Sequence, residues 1–211
     1  MSKKITVKYL AEVAVMATLA FALDALQGGI FRGLFANGGS IGFAMLPILL
    51  ITYRRGFFAG FLSALILSFI QMFGGVYAIA GSWYMVLLQI MLDYIIAYPL
   101  VAVAGIFYKS YHKSESKKQK IKYLVLGTCL GGFLKFLAHF LAGVIFWPNS
   151  DFLGGPAVYS LVYNGGYMLP NIIVNAILIC LIAIKQPKLL QVNDDNSKNN
   201  VKAEEKKGEN Q

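Results

Sequence analysis

The chain has 211 residues, 57% of them hydrophobic and 14% charged, with a positive mean hydropathy; this is too apolar for a soluble domain and reads as an all-α integral membrane protein. The net charge of +9 raises nucleic acid as a partner, but the basic residues fall in clusters between apolar runs, which argues against it. Long runs of Leu, Ile, Phe and Ala, without short alternating segments, also argue against an outer-membrane barrel.

A bilayer core of about 30 Å takes about 20 apolar residues per helix, and six such runs lie at roughly 8–27, 40–53, 57–73, 83–107, 123–147 and 157–184. They predict six transmembrane helices in one bundle over residues 1–188. The sequence after Lys188 is polar, mixed in charge and free of aromatics, so 189–211 is expected to be a disordered cytoplasmic tail. Lys3 and Lys4 before an apolar run suggest a signal peptide. Asp24 interrupts that run and five more spans follow, so the first helix is expected to remain uncleaved.

In the first span Ala14, Thr18 and Ala22 recur every four residues and share a helix face. Small residues at that spacing admit a second helix, either within this bundle or from a partner. Basic residues cluster at Lys3, Lys4 and Lys8, at Arg54 and Arg55, from Lys109 to Lys122, and at Lys185 and Lys188. In a six-span layout all of them fall on one side, while the opposite loops carry only Arg32 and Asp151. The positive-inside rule then places both termini in the cytoplasm of a cell membrane, where the lysine-rich loop would be solvated or touch anionic lipid.

An ionisable side chain within a span is costly and faces the protein interior or a wet cavity. On the fourth span Gln89 and Asp93 are one turn apart, with Tyr94 beside them. On the fifth, Lys135 and His139 share a face that Gly143 continues, and Trp147 stands about 12 Å beyond His139 at 1.5 Å per residue. The sixth carries a stripe of Tyr159, Tyr163 and Tyr167 and another of Asn164, Asn171 and Asn175. Since the fourth and sixth helices run inward and the fifth outward, these groups are expected to converge on a pocket open to the outside. Structural readings stand beside this one: tyrosines as an interfacial belt, Asn and Gln as interhelical hydrogen bonds, and Lys135 neutralising Asp93 as a buried pair.

Enzyme signatures are missing. The stretch "GTCLGGF" lacks the Gly-Lys-Ser/Thr ending of a phosphate-binding loop, and there is no nucleophile elbow. His112 and His139 are too few for a His-rich metal site, and Cys129 and Cys180 read as apolar fillers within spans. Neither catalysis nor a cofactor is expected.

The runs "HFLAGVIFW" (His139 to Trp147), "YSLVYN" (Tyr159 to Asn164), "LPILLITYRRG" (Leu46 to Gly56) and "QIMLDY" (Gln89 to Tyr94), in a six-span layout, closely resemble the thiamine-specific substrate-binding subunits of energy-coupling factor transporters. The resemblance implies capture of thiamine from outside and delivery through a module of one transmembrane scaffold protein and two ATPases. Carried over residue by residue, it assigns Asp93, Tyr94, His139, Trp147, Tyr159 and Asn164 to the substrate. It also assigns the face of Ala14, Thr18 and Ala22 to docking of the scaffold. Asp93 would meet the permanent thiazolium cation, Trp147 would stack on the aminopyrimidine, Asn164 and Tyr159 would pair its edge, and His139 and Tyr94 would bond the remaining polar atoms. Few basic residues stand near the outer face, which favours free thiamine over its phosphates. Two departures stand out. The family usually has glutamate at Asp93, and it usually has a tryptophan in the first external loop, where this chain offers Phe31 or Phe35. A relative of thiamine, such as hydroxymethylpyrimidine, or another vitamin such as riboflavin, is the alternative ligand; a membrane protein whose polar residues only pack helices is the alternative class.

Overall fold

A computed structural model describes residues 5–31, 35, 39–73, 75–76, 78–79 and 81–192. Lys3, Lys4, Arg32, the Phe31 side chain and the tail from 193 onward lie outside the described residues. All regular structure among the described residues is helical: α1 (Val7–Phe31), α2 (Met45–Arg55), α3 (Phe57–Phe73), a continuous rod α4 (Trp83–Lys113), α5 (Lys117–Phe146) and α6 (Gly155–Lys185), closed by a 3-10 turn at Pro187–Leu190. The helices α1, α4, α5 and α6 are long and apolar enough to cross a membrane, and α3 is a shorter apolar helix. This is a membrane protein.

The short α2 forms the centre of the bundle, packed against α1, α3, α4 and α6. Its Ile48, Leu49, Ile51 and Tyr53 are wholly buried. Around it, most outward positions of the long helices are apolar and exposed, among them Leu19 on α1, Phe69 on α3, Leu141 on α5 and Ile177 on α6. That inversion is what a lipid-facing surface requires.

The second apolar run departs from expectation. Instead of a helix over 40–53, residues 39–44 are non-helical and α2 begins only at Met45. An open backbone at this depth survives only if its polar groups find partners, and polar side chains supply them. The Gly42 N–H donates to Asn171 Oδ1, and the Phe43 N–H donates to Gln27 Oε1 at 2.8 Å. Asn171 Nδ2 donates to the Ser40 carbonyl at 2.8 Å and Asn175 Nδ2 to that of Gly42 at 2.9 Å. Asn171 and Asn175 therefore follow the structural reading, tying this segment to α6.

The rod α4 changes its winding along its length. It is α-helical through Ile90, π-helical over Met91–Ile96 and 3-10 over Pro99–Phe107. Pro99 has no N–H to give to the helical ladder, and π-turns recur where a helix bends its side chains towards a site. On α5, Gly131 faces the Val101 carbonyl of α4 so closely that an added Cβ would lie 2.5 Å from that oxygen. The two rods approach to backbone contact, as small residues in membrane helices permit.

The described basic clusters share one end of the bundle. Glu12 of α1 accepts from both arginines at the end of α2, with Arg54 Nε at 3.0 Å and Arg55 Nε at 2.6 Å. Arg54 also donates to the carbonyls of Lys188 (3.0 Å) and Gln191 in the final turn, and Leu190 of that turn is fully buried. The Tyr53 hydroxyl donates to the Tyr123 carbonyl of α5 at 2.6 Å.

Candidate ligand-binding site

A cavity of about 460 Å³ opens among α1, Phe35, Gly39, Ser40 and α3 to α6, within the size range of small-molecule sites. Asp93, Tyr94, His139, Trp147, Tyr159 and Asn164 all line it.

Asp93 projects from the π-helical segment of α4. Its Oδ1 lies 3.2 Å from His139 Nδ1 of α5, and its Oδ2 accepts from Gln89 Nε2 at 2.9 Å. The carboxylate is thus fixed in place by two neighbours while keeping lone pairs for a ligand. Lys135 does not pair with Asp93. Its ammonium sits 3.5 Å from the centroid of the Tyr98 ring, a cation–π contact, because α4 presents Tyr98 rather than Asp93 at the depth the lysine reaches.

Asp24 of α1 forms a second polar centre in the same cavity. Its Oδ1 accepts from Gln27 Nε2 at 2.7 Å and from the Tyr98 hydroxyl at 3.2 Å, and its Oδ2 from Gln71 Nε2 at 2.6 Å. Gln27 and Gln71 are outside the sequence-derived candidates, although an ionisable residue within the first span was a signal. Among the described residues the charged side chains on the cavity wall are Asp24, Asp93 and Lys135, beside His139. Two carboxylates thus face one ammonium on the described wall, an acidic balance that suits a cationic ligand.

The tyrosine stripe faces inward rather than forming a belt. Tyr159 stacks on Tyr163 with ring centroids 5.8 Å apart, and Tyr163 meets Tyr167 edge-on at 6.0 Å. Phe35 packs edge-on against both Tyr163 (6.1 Å) and Tyr167 (5.6 Å). Phe35 therefore reaches the cavity wall from the first loop. Asn164 donates to the Ser160 carbonyl and hydroxyl, each at 3.0 Å, and accepts from the Tyr167 hydroxyl at 2.7 Å. Its amide is oriented by three bonds. Trp147 caps α5 and lines the cavity, and the left-handed Gly154 (φ +89°) turns the chain into α6, which returns Tyr159 to the same wall. Among the described residues no three His, Cys, Asp or Glu side chains cluster as a metal site.

On α1 the small face points away from the bundle. Ala14, Thr18 and Ala22 are exposed, whereas Val13, Ala17 and Ala20 of the adjacent face are buried. Packing within this bundle is therefore not their role.

The family described as "Thiamine transporter protein (Thia_YuaJ)" matches residues 10–191. The chain belongs to the thiamine transporter family. Within that family it is 34% identical over 186 residues to "Thiamine transporter ThiT" of Bacillus subtilis, covering 86% of this chain and 93% of that one. It is 30% identical over 196 residues to "Thiamine transporter ThiT" of Lacticaseibacillus paracasei, with 88% and 92% covered. A solved structure of ThiT from Listeria monocytogenes superposes with a TM-score of 0.73 at 26% identity, over 87% of this chain and 97% of that one. These relatives are named as transporters, consistent with a thiamine transporter family member that is not an enzyme.

Proposed function

We propose that this protein takes up thiamine as the substrate-binding subunit of an energy-coupling factor transporter in the plasma membrane. Six segments cross the bilayer, the second made of the short α2 together with the open 39–44 stretch, both termini and the lysine-rich loop lie in the cytoplasm, and the cavity opens outside. The observation that carries the reading is the anchored Asp93 carboxylate in a cavity whose described wall holds two carboxylates and one ammonium, in a chain of the thiamine transporter family. A permanent monocation needs a fixed anion in a low-dielectric site and no proton transfer.

In this reading Asp93 holds the thiazolium, Trp147 stacks on the aminopyrimidine, Tyr159 and the oriented Asn164 amide read its edge, and His139 and Tyr94 complete the polar contacts. Phe35 closes the cavity from the first loop. The exposed Ala14, Thr18 and Ala22 face docks the scaffold subunit, whose two ATPase partners supply the energy for uptake. The test is titration of ligand-stripped protein with thiamine, followed by tryptophan fluorescence. Saturable quenching by thiamine, absent with riboflavin and weaker with hydroxymethylpyrimidine, is expected. Preference for a neutral ligand would overturn the assignment.

A further inference from the structure

We propose that a shallow depression beside the cavity, formed by the turn between α5 and α6, is a second and weaker binding site, where an aromatic cation rests on Asp151 before it enters the cavity. The proposal rests on the thiamine reading above and adds a step that precedes the Asp93 site.

The depression is lined by Phe146 and Tyr159 and by the turn from Trp147 to Asp151. Trp147 and Tyr159 also line the cavity, so the two spaces share an aromatic wall and a ligand can pass from one to the other along it. Hydrogen bonds and ring packing fix the turn. Asn149 Oδ1 accepts from the Asp151 N–H at 3.2 Å and from the Phe152 N–H at 3.1 Å. Phe152 in turn packs edge-on against Tyr159, with ring centroids 5.5 Å apart. These contacts hold the exposed Asp151 in the depression that Tyr159 shares with the cavity.

Charge sets the class of ligand. The chain carries a net charge of +9, which disfavours the approach of any cation. The 30-residue α5, however, starts among the lysines and ends at this turn, about 45 Å away at 1.5 Å per residue. Over that distance, with a screening length of about 8 Å at physiological salt, the field of the basic end is lost. Asp151 is the charged side chain of the depression, and its field acts alone at short range. A carboxylate in water concentrates a monocation a few ångströms away by a factor of about five. The electron-rich faces of Trp147 and Tyr159 attract the same cation, whereas an anion gains from neither. Because Asp151 is exposed, the cation keeps much of its water there, so the site is weak, fast and sensitive to salt.

The experiment is stopped-flow binding of thiamine to ligand-stripped protein in uncharged detergent, read by tryptophan fluorescence, for the wild type, Asp151→Asn and Asp151→Lys. In low salt Asp151→Asn is expected to lower kon about two- to fivefold and Asp151→Lys to lower it further, with koff unchanged in both, as mutation of a rim charge does. At about 0.5 M salt the three kon values should converge. Asparagine keeps the shape and the backbone hydrogen bonds of the turn, so this variant tests charge and not folding. Equal kon for the wild type and Asp151→Asn in low salt overturns the proposal and leaves the thiamine reading intact. A loss of affinity that lies in koff, or one that persists in high salt, also overturns it, because Asp151 would then act on the bound state or on the fold. Absence of thiamine binding by the wild type overturns both readings.

Discussion

At the scale of single residues, chemistry concentrates on Asp93. Asp93→Asn keeps the shape and the contact with Gln89 but removes the negative charge, and thiamine affinity is expected to fall by ten- to a hundredfold, about 1.5–3 kcal/mol. Fluorescence titration reads this directly. Trp147→Ala should abolish most of the quenching as well as weakening binding by about tenfold. The chain has two tryptophans, and the other, Trp83, is 78% exposed at the start of α4. Asp93, His139 and Trp147 were legible in the sequence because ionisable and aromatic residues at helical spacing inside apolar runs stand out. Asp24 also stood out as an ionisable residue in the first span, but the polar centre built around it did not. Its partners Gln71 and Tyr98 lie 47 and 74 residues away, and no local pattern announces which distant helix will supply a hydrogen bond.

At the scale of elements, hydropathy located five of the six apolar runs to within several residues of a helix, but misjudged the second. The run at 40–53 is continuous in composition; only the Asn and Gln side chains of other helices reveal that its first half is held open. Asn171→Ala would leave the Gly42 N–H and Ser40 C=O without their partner. Each such loss costs about 1–3 kcal/mol, so a lower melting temperature in detergent and faster amide exchange over 39–44 are expected. Gly131→Ala places a Cβ against the Val101 carbonyl, where no flexible side chain is available to yield. It should separate α5 from α4 and lower stability by about 1–3 kcal/mol, the range seen for overpacking, with thermal unfolding in detergent as the measurement.

At the scale of the whole molecule, the proposed assembly divides the surface between lipid and partner. Ala14→Trp adds bulk to an exposed face of α1 that no other described element covers. Thiamine binding by the isolated protein should be unchanged, while uptake by cells carrying the complete transporter should fall severely. Loss of binding in this variant would assign the face to folding instead. The sequence made the shared end of the basic clusters legible, because charge cannot be left in hydrocarbon, and the Glu12 ion pairs with Arg54 and Arg55 bind two of the helices at that end.

The 17-residue α3 has a consequence for the solvent rather than for the protein. At 1.5 Å per residue it is about 25 Å long, short of a hydrocarbon core of about 30 Å, and its Phe57, Phe58, Phe69 and Phe73 are exposed. With α3 and α5 both spanning as proposed, lipid beside α3 thins by a few ångströms while lipid beside the 30-residue α5 does not, so the protein imposes a lopsided dent on its bilayer. Acyl-chain length is therefore expected to act on this molecule as a mechanical load applied from one flank, and bilayers of shorter chains should relieve it.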